Sequence, residues 1–467
     1  MTSRGVDADV IVAGGGISGL ASAWGLQQRG VRVVLLEAAP RAGGTIGTAR
    51  EHGCLLESGP NSALETTPLI GELFGKIGLA GERIAARPAA RKRYVLRAGR
   101  LIALPLSPLA FFATPLFSAW SKLRLFKEPF ISRGARDAEE SVAAFVRRRL
   151  GTEFLDYAID PFVAGVYAGD PQTLSVKAAF PRLFELEQKH GSLILGQLCG
   201  ARERARNPET SRQAAAILSF RGGMQTLTDA LVRQLERVEL DSELSSVLPQ
   251  QTGFELVVSA ASGPRHYRTR AVVLATPAPA AAQLIAPFAA RAAAALRAIP
   301  YPPVAVVAGA YRRDAIAHPL DGFGFLVPQR EQRRILGTLF SSTLFDHRAP
   351  QGLALLTTFV GGMRQPELAL LPAGEIAELV QAELAALLGA PARAEFVRVT
   401  RWPRAIPQYT LGHLDRIACV EEAERDLPGL FFCANYRGGI AVGDCIKSAA
   451  RAANQVAAFL GMGDNAP

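Results

Sequence analysis

Cysteine is scarce: the 467 residues hold five, Cys54, Cys199, Cys419, Cys433 and Cys445, widely spaced and without a CxxC pair. An odd, scattered set cannot staple a disulfide scaffold or form a zinc knuckle, and it fits a reducing compartment. Histidine is nearly as rare, with six residues. No cluster has metal-ligand spacing, so no metal site is expected. His190 and His413 are read as structural, and no catalytic dyad stands out. No fixed period orders the 44 glycines and 30 prolines, which excludes collagen-like and solenoid repeats. A leader segment has no room either, because a strand pattern begins by about residue 8. The expected location is cytoplasmic.

Acidic residues are in deficit: 52 Lys and Arg stand against 42 Asp and Glu, a net charge of +10. No nucleic-acid recognition motif accompanies this charge, so nucleic acid is not an expected partner. An arginine-rich background, an anionic lipid surface and an acidic ligand are all compatible with it. With 49% hydrophobic residues, the chain can fill the cores of two or three domains.

What the chain does have begins at once. Residues 9–13 are a short apolar run ending at glycine, the pattern of a buried parallel strand. Residues 17–29 have helical spacing closed by Gly30, and 31–36 form the next strand. Between strand and helix lies Gly14-Gly15-Gly16-Ile17-Ser18-Gly19. Gly14 permits the tight turn, Gly16 lets backbone approach a pyrophosphate, and Gly19 allows helix and strand to pack closely. Glu37 closes the second strand, where a carboxylate accepts ribose hydroxyls and repels a 2′-phosphate. This much specifies a dinucleotide and leaves NAD and FAD both open.

Farther along, helices are expected over 137–150 and 151–163, with Arg147, Arg148 and Arg149 on a solvated face. Strands are expected over 254–259 and 271–275 around a turn at Gly263-Pro264, and over 304–310, 324–327, 335–340 and 353–360. A helix follows over 373–388. The chain closes with a strand over 430–433, a glycine loop and a helix over 444–460. Nucleotide-binding elements thus sit at both ends, which implies a discontinuous domain.

Arg41-Ala42-Gly43-Gly44-Thr45, just past Glu37, resembles the second glycine pair of amine oxidases, phytoene desaturases and protoporphyrinogen oxidases, and implies FAD. The resemblance narrows to the protoporphyrinogen oxidase family at Gly59-Pro60-Asn61-Ser62, at 165–171, at 322–328, at Ile406-Pro407-Gln408-Tyr409 with Gly412-His413, and at 436–443. These motifs run in order from about residue 9 to residue 455.

The resemblance implies an α/β fold: a discontinuous FAD-binding Rossmann-like domain (1–88, 206–276 and 405–467), an inserted mixed α+β substrate domain (277–404) and a mainly helical membrane-binding domain (89–205). It assigns FAD contacts to Gly14, Gly15, Gly16, Ile17, Ser18, Gly19, Glu37, Arg41, Gly43, Gly44 and Thr45. Gly59, Pro60, Asn61, Ser62, the Leu244 backbone, Asn435, Ile440, Ala441 and Val442 complete that set. Arg93 matches the arginine that pairs with a substrate propionate, Leu326, Leu339 and Phe359 match the apolar residues around the tetrapyrrole, and Gly169 offers a carbonyl to pyrrole N–H groups.

The implied activity is oxidation of protoporphyrinogen IX to protoporphyrin IX, the penultimate step of heme biosynthesis. Hydride passes from a methylene bridge to flavin N5, and dioxygen is the expected acceptor. No side-chain base is obligatory, so no catalytic residue is assigned. A homodimer is among the expected assemblies. Coproporphyrinogen III oxidation, amine oxidation and a non-catalytic carrier of the GDP-dissociation-inhibitor type are the rival readings.

Residues 101–121 carry no charge, but Pro105, Pro108 and Pro115 interrupt them. Arg91, Lys92, Arg93, Arg97 and Arg100 precede the segment and Lys122, Arg124 and Lys127 follow it. An apolar stretch framed by cations suits a segment lying in one membrane face rather than crossing it. Peripheral attachment to the inner face of the cell membrane is expected.

Overall fold

Val10, Ile11 and Val12 are fully buried, as a strand covered on both faces must be when its side chains do not alternate in polarity. They belong to Ala8–Ala13, near the middle of a seven-stranded sheet in the computed structural model, which describes residues 6–199, 215–391 and 393–462. Val33–Leu36 runs parallel to this strand on one side and Gly263–Leu274 on the other. Leu430–Phe432 adds in parallel to Gly263–Leu274. The strands Phe254–Ala260 and Ser242–Pro249 extend the sheet in antiparallel fashion. The start, middle and end of the chain therefore meet in one mixed α/β sheet of Rossmann type. Helices Ile17–Gln27 and Val442–Phe459 cover one face together, and the Gly25 Cα lies against Ala453.

A second seven-stranded sheet contains Val304–Arg312, Gly322–Leu326, Gly337–Leu339, Leu353–Gly361 and Phe396–Trp402. Its last two strands are Lys92–Arg97 and Arg100–Ala103, so the sheet starts within the segment expected to be helical. Helices Ala278–Ile285 and Ala290–Arg297, expected in the substrate domain, pack on the first sheet instead. The expected boundary at 205–206 lies outside the described residues. Gly263 is already in its strand, which moves the hairpin turn to residues 261–262.

The helical region corrects one reading. Helix Val142–Arg149 begins at Ser141, whose hydroxyl caps Ala144 N, later than expected. Arg147 is exposed, but Arg149 is fully buried and Arg148 is largely so. Arg149 Nε donates to Glu187 at 2.6 Å, and its Nη1 reaches Glu128 and the Ile131 and Gly191 carbonyls. Arg148 bridges Glu140 and Glu187. A run of arginines on a short helix cannot all face water, because successive residues turn about 100° apart. One of them enters the core, and the core supplies carboxylates.

Glu128 belongs to the helical turn Leu125–Phe130, and its carboxylate also accepts from Leu193 N, Ile194 N and the Ser192 hydroxyl. That buried anchor holds out an apolar ledge: Phe130 is 87% exposed, Leu109 82% and Trp120 76%, with Leu106, Phe112, Leu123 and Phe126 beside them. Among the described residues no helix is long and apolar enough to cross a membrane.

Replacing Arg149 with methionine strands Glu128 and Glu187 without their shared cation. It is expected to cost about 3–5 kcal/mol in urea unfolding, while Arg147→Met shifts stability by less than about 0.5 kcal/mol. Equal effects would refute the burial argument.

Candidate functional site

At the carboxyl end of Ala8–Ala13 the backbone turns at Gly14 with φ of +107°, a conformation that favours glycine. A Cβ there would meet the Ala275 carbonyl at 2.8 Å, and one on Gly19 would stand 1.9 Å from the Gly14 oxygen. Gly16 differs from both: nothing lies within 4 Å of where its Cβ would be. The turn is therefore closed behind and open in front, where the first N–H groups of Ile17–Gln27 emerge. That is the shape of a phosphate cradle.

Glu37 is held by this turn. Gly15 N donates to its Oε2 at 2.6 Å and Ala39 N to its Oε1 at 2.9 Å. Each oxygen keeps lone-pair capacity for a ribose hydroxyl. Arg41 acts on the second glycine pair: its guanidinium donates to the carbonyls of Ala42, Gly44 and Ile46 at 2.8, 3.2 and 2.7 Å. Gly43 N then donates to Gly15 O at 2.7 Å, which joins the two loops. Thr45 meets Gly59 backbone to backbone, since a Cβ on Gly59 would lie 2.2 Å from the Thr45 oxygen. Pro60, Asn61 and Ser62 continue half-buried, and Asn61 Nδ2 turns back to Gly59 O. Leu244 is buried two residues beyond Ser242, whose N–H donates to the Glu37 carbonyl.

The closing segment reaches the same place. Cys433 Sγ lies 4.0 Å from Ser18 O. Tyr409 Oη donates to Asn435 O at 2.7 Å and accepts from Gly439 N at 2.9 Å, spanning the loop that leads through Ile440 and Ala441 to the helix starting at Val442. Burial pushes the Tyr409 hydroxyl well above its usual pKa, so it stays protonated and keeps donating. His413 stacks on Tyr409 with ring centroids 4.1 Å apart and donates Nε2–H to Tyr436 O. Burial drives His413 down to about 4. It is a buried, neutral histidine.

The second sheet supplies another surface. Leu326, Gly337 and Phe359 are cross-strand partners in register, so they share one face, and Leu339, two residues past Gly337, joins them. Val95 pairs with Leu326, which puts Arg93 on that face as well. The neighbours Phe325 and Val360 point into a closed core, whereas Leu326, Leu339 and Phe359 each keep partial exposure. Arg93 lies 5.4 Å over the Phe323 ring and, among the described residues, pairs with no carboxylate. Its neighbour Lys92 pairs with Asp321. Arg93 remains exposed, although desolvation by its surroundings lowers its pKa. Gly169 is buried against Gln408, and a Cβ on it would fall 2.7 Å from Gln408 Oε1.

Two contributors escaped the sequence reading. Trp402 Nε1 donates to Ser58 O at 2.7 Å, tying the second sheet to the loop before Gly59. Glu57 and Arg348 form a buried pair at 3.2 Å that also takes Met224 N. Only register and tertiary contact reveal these. Tyr409 stood within a recognised motif but without a role.

The family described as flavin-containing amine oxidoreductase matches residues 17–457. Protoporphyrinogen oxidase 2 of Arabidopsis thaliana is 34% identical, over 97% of this chain and 94% of that protein. Coproporphyrinogen III oxidase of Propionibacterium freudenreichii is 32% identical, over 96% and 90%. A crystal structure from Exiguobacterium sp. 255-15, provisionally described as a protoporphyrinogen oxidase, superposes with a TM-score of 0.82 at 26% identity, covering 97% of this chain and 99% of that one.

Tyr409→Phe removes both hydrogen bonds across the glycine loop and is expected to weaken flavin retention roughly tenfold, read by flavin release on dilution. An unchanged affinity would mean the loop stands without it. His413 is held neutral when folded, at about 4, against 6.5 unfolded. Its contribution to stability is therefore complete above pH 6.5 and lost as pH falls toward 4. Unfolding midpoints across that window should drop more steeply for the wild type than for His413→Phe.

Proposed function

Since this chain belongs to the flavin-containing amine oxidoreductase family and is an FAD-dependent oxidoreductase, we propose that it oxidises protoporphyrinogen IX to protoporphyrin IX. The observation that carries this reading is Arg93, a cation without a carboxylate, on the same sheet face as Leu326, Leu339 and Phe359. A large flat tetrapyrrole with propionate arms needs both an apolar wall and one such charge.

FAD, when bound, supplies the two-electron acceptor for each step. The chain does the placing. Gly14 to Gly19 and Gly43 to Thr45 hold the phosphates, Glu37 the ribose, and the loop from Asn435 to Val442 the flavin end. Arg93 fixes the propionate, so the ring can lie against the wall in one orientation. Gly169 presents its carbonyl to the pyrrole N–H groups, whose protons become acidic as positive charge develops. Dioxygen is the proposed final acceptor.

The second sheet with its helices forms the inserted substrate domain, and the helical region with the ledge forms the membrane-binding domain. Supporting that reading, Leu106, Leu109, Phe112, Trp120 and Phe130 are all exposed within one short stretch of chain that also carries the exposed Lys127 and follows the exposed Arg100. A patch so apolar is costly in water and suits partial immersion in a bilayer face. The proposed location is the inner face of the cell membrane.

Anaerobic addition of protoporphyrinogen to the yellow protein is expected to bleach the flavin band while porphyrin fluorescence rises; an unchanged spectrum refutes the proposal. Arg93→Ala should raise KM roughly ten- to a hundredfold by removing a charge-assisted contact, with Arg93→Lys intermediate. Paired assays with coproporphyrinogen III decide between the two porphyrinogens, and preference for the tetracarboxylate would overturn this assignment in favour of the other.

A further inference from the structure

Beside the ledge the surface folds into a recess of about 460 Å³ whose walls include Arg97, Arg124, Arg147 and Arg330 with the rings of Trp120 and Tyr157. Part of this charge is answered: Arg97 pairs with Glu153 at 2.6 Å and Arg330 with Asp156 at 3.0 Å. Hydrogen bonds from Ser121, Ser118 and Arg97 outweigh the desolvation of Glu153 and hold its carboxyl down to about 2, so it is ionised at any working pH. Arg124 and Arg147 have no carboxylate partner among the described residues. Arg124 Nη2 caps the carbonyls of Arg147 and Arg148, and Arg147 meets only the Gln172 amide oxygen, at 3.3 Å. Arg124 Nε is buried without any hydrogen-bond partner among the described residues. Four guanidiniums thus face two carboxylates, an excess of two positive charges in one concavity.

Trp120 belongs to the recess and the ledge alike. With the ledge immersed, the recess opens where tryptophan settles among lipid headgroups. We propose that it binds the phosphate of an anionic phospholipid headgroup, with Arg124 and Arg147 as the contacting cations. This rests on the membrane contact proposed above and adds a selectivity to it. Guanidinium forks match phosphate oxygens two at a time. The same arginines repel a choline ammonium, so phosphatidylglycerol is favoured over phosphatidylcholine.

Sedimentation of FAD-loaded protein with vesicles tests this. Wild type should partition about tenfold more strongly onto vesicles containing phosphatidylglycerol than onto pure phosphatidylcholine. Arg124→Ala combined with Arg147→Ala should erase most of that gain, and Arg147→Ala alone a clear part of it. The pair Arg100→Ala and Lys127→Ala, an equal charge loss outside the recess, should erase distinctly less. Equal losses in the two pairs would overturn the recess while leaving membrane contact standing. Leu109→Ser with Phe112→Ser should release the protein from both vesicle types. If wild type binds neither type, the membrane reading and the recess fall together. If inorganic phosphate binds the wild type and the Arg147→Ala variant loses that binding, while phosphatidylglycerol and phosphatidylcholine vesicles bind the wild type equally, the recess is a free-phosphate site and the lipid assignment is overturned.

Discussion

The Gly19 backbone lies so close to the Gly14 carbonyl that a single methyl group would stand 1.9 Å from the oxygen, and Gly14 is pressed against Ala275 in turn. Ala275 follows the strand Gly263–Leu274, whose carboxyl end lies between Ala8–Ala13 and Leu430–Phe432. Three segments far apart in the chain therefore converge where side chains are forbidden. Closing such distant loops is entropically costly, and the cost is offset by a core with no room to spare. The cofactor cradle follows directly: packing is tight behind the turn and space is left above Gly16. Fold and binding site are the same constraint viewed from two sides.

Charges are used in two ways around this frame. Arg149, Glu187 and Glu128 are buried together, where each partner removes the desolvation penalty of the others. Glu57 and Arg348 do the same between the first sheet's surroundings and the second sheet, and burial raises the Glu57 pKa even with its cation present. Arg93, Arg124 and Arg147 stand apart as cations to which no acid of the described chain is committed. Arg93 and Arg147 are exposed, whereas Arg124 Nε is buried without a hydrogen-bond partner among the described residues.

Much of this was legible in the residues. The strand–glycine–helix opening, the discontinuous domain and the helix at Ala373–Leu388 come from local pattern alone. The second glycine pair and the motifs around it gave the cofactor, and family resemblance singled out Arg93, which spacing alone would have left on a basic surface. Other features depend on contacts that local pattern does not encode. Three arginines in a row say nothing about which one finds a buried carboxylate. Residues 92–103 sit beside an uncharged, proline-broken run, yet they complete a sheet because Gly322–Leu326 offers them an open edge. Arg41 was expected to contact the cofactor, and its work of holding three carbonyls appears only in the geometry.

That strand also couples the two surfaces. Arg93, Val95 and Arg97 share one face of Lys92–Arg97, so the two arginines lie roughly 13 Å apart along it. At one end Arg93 stands over Phe323 beside the apolar wall, and at the other Arg97 stands 4.4 Å over Tyr157 at the recess. Strand Arg100–Ala103 pairs back onto it and leads straight into the ledge. A hydrogen-bonded hairpin transmits position with little slack, so on the proposed membrane contact the depth of the ledge would also fix the height of the apolar sheet face. In the proposed reading, a substrate too apolar for free diffusion in water need not cross the solvent, because one hairpin would link the membrane contact to the cation proposed to orient the ring.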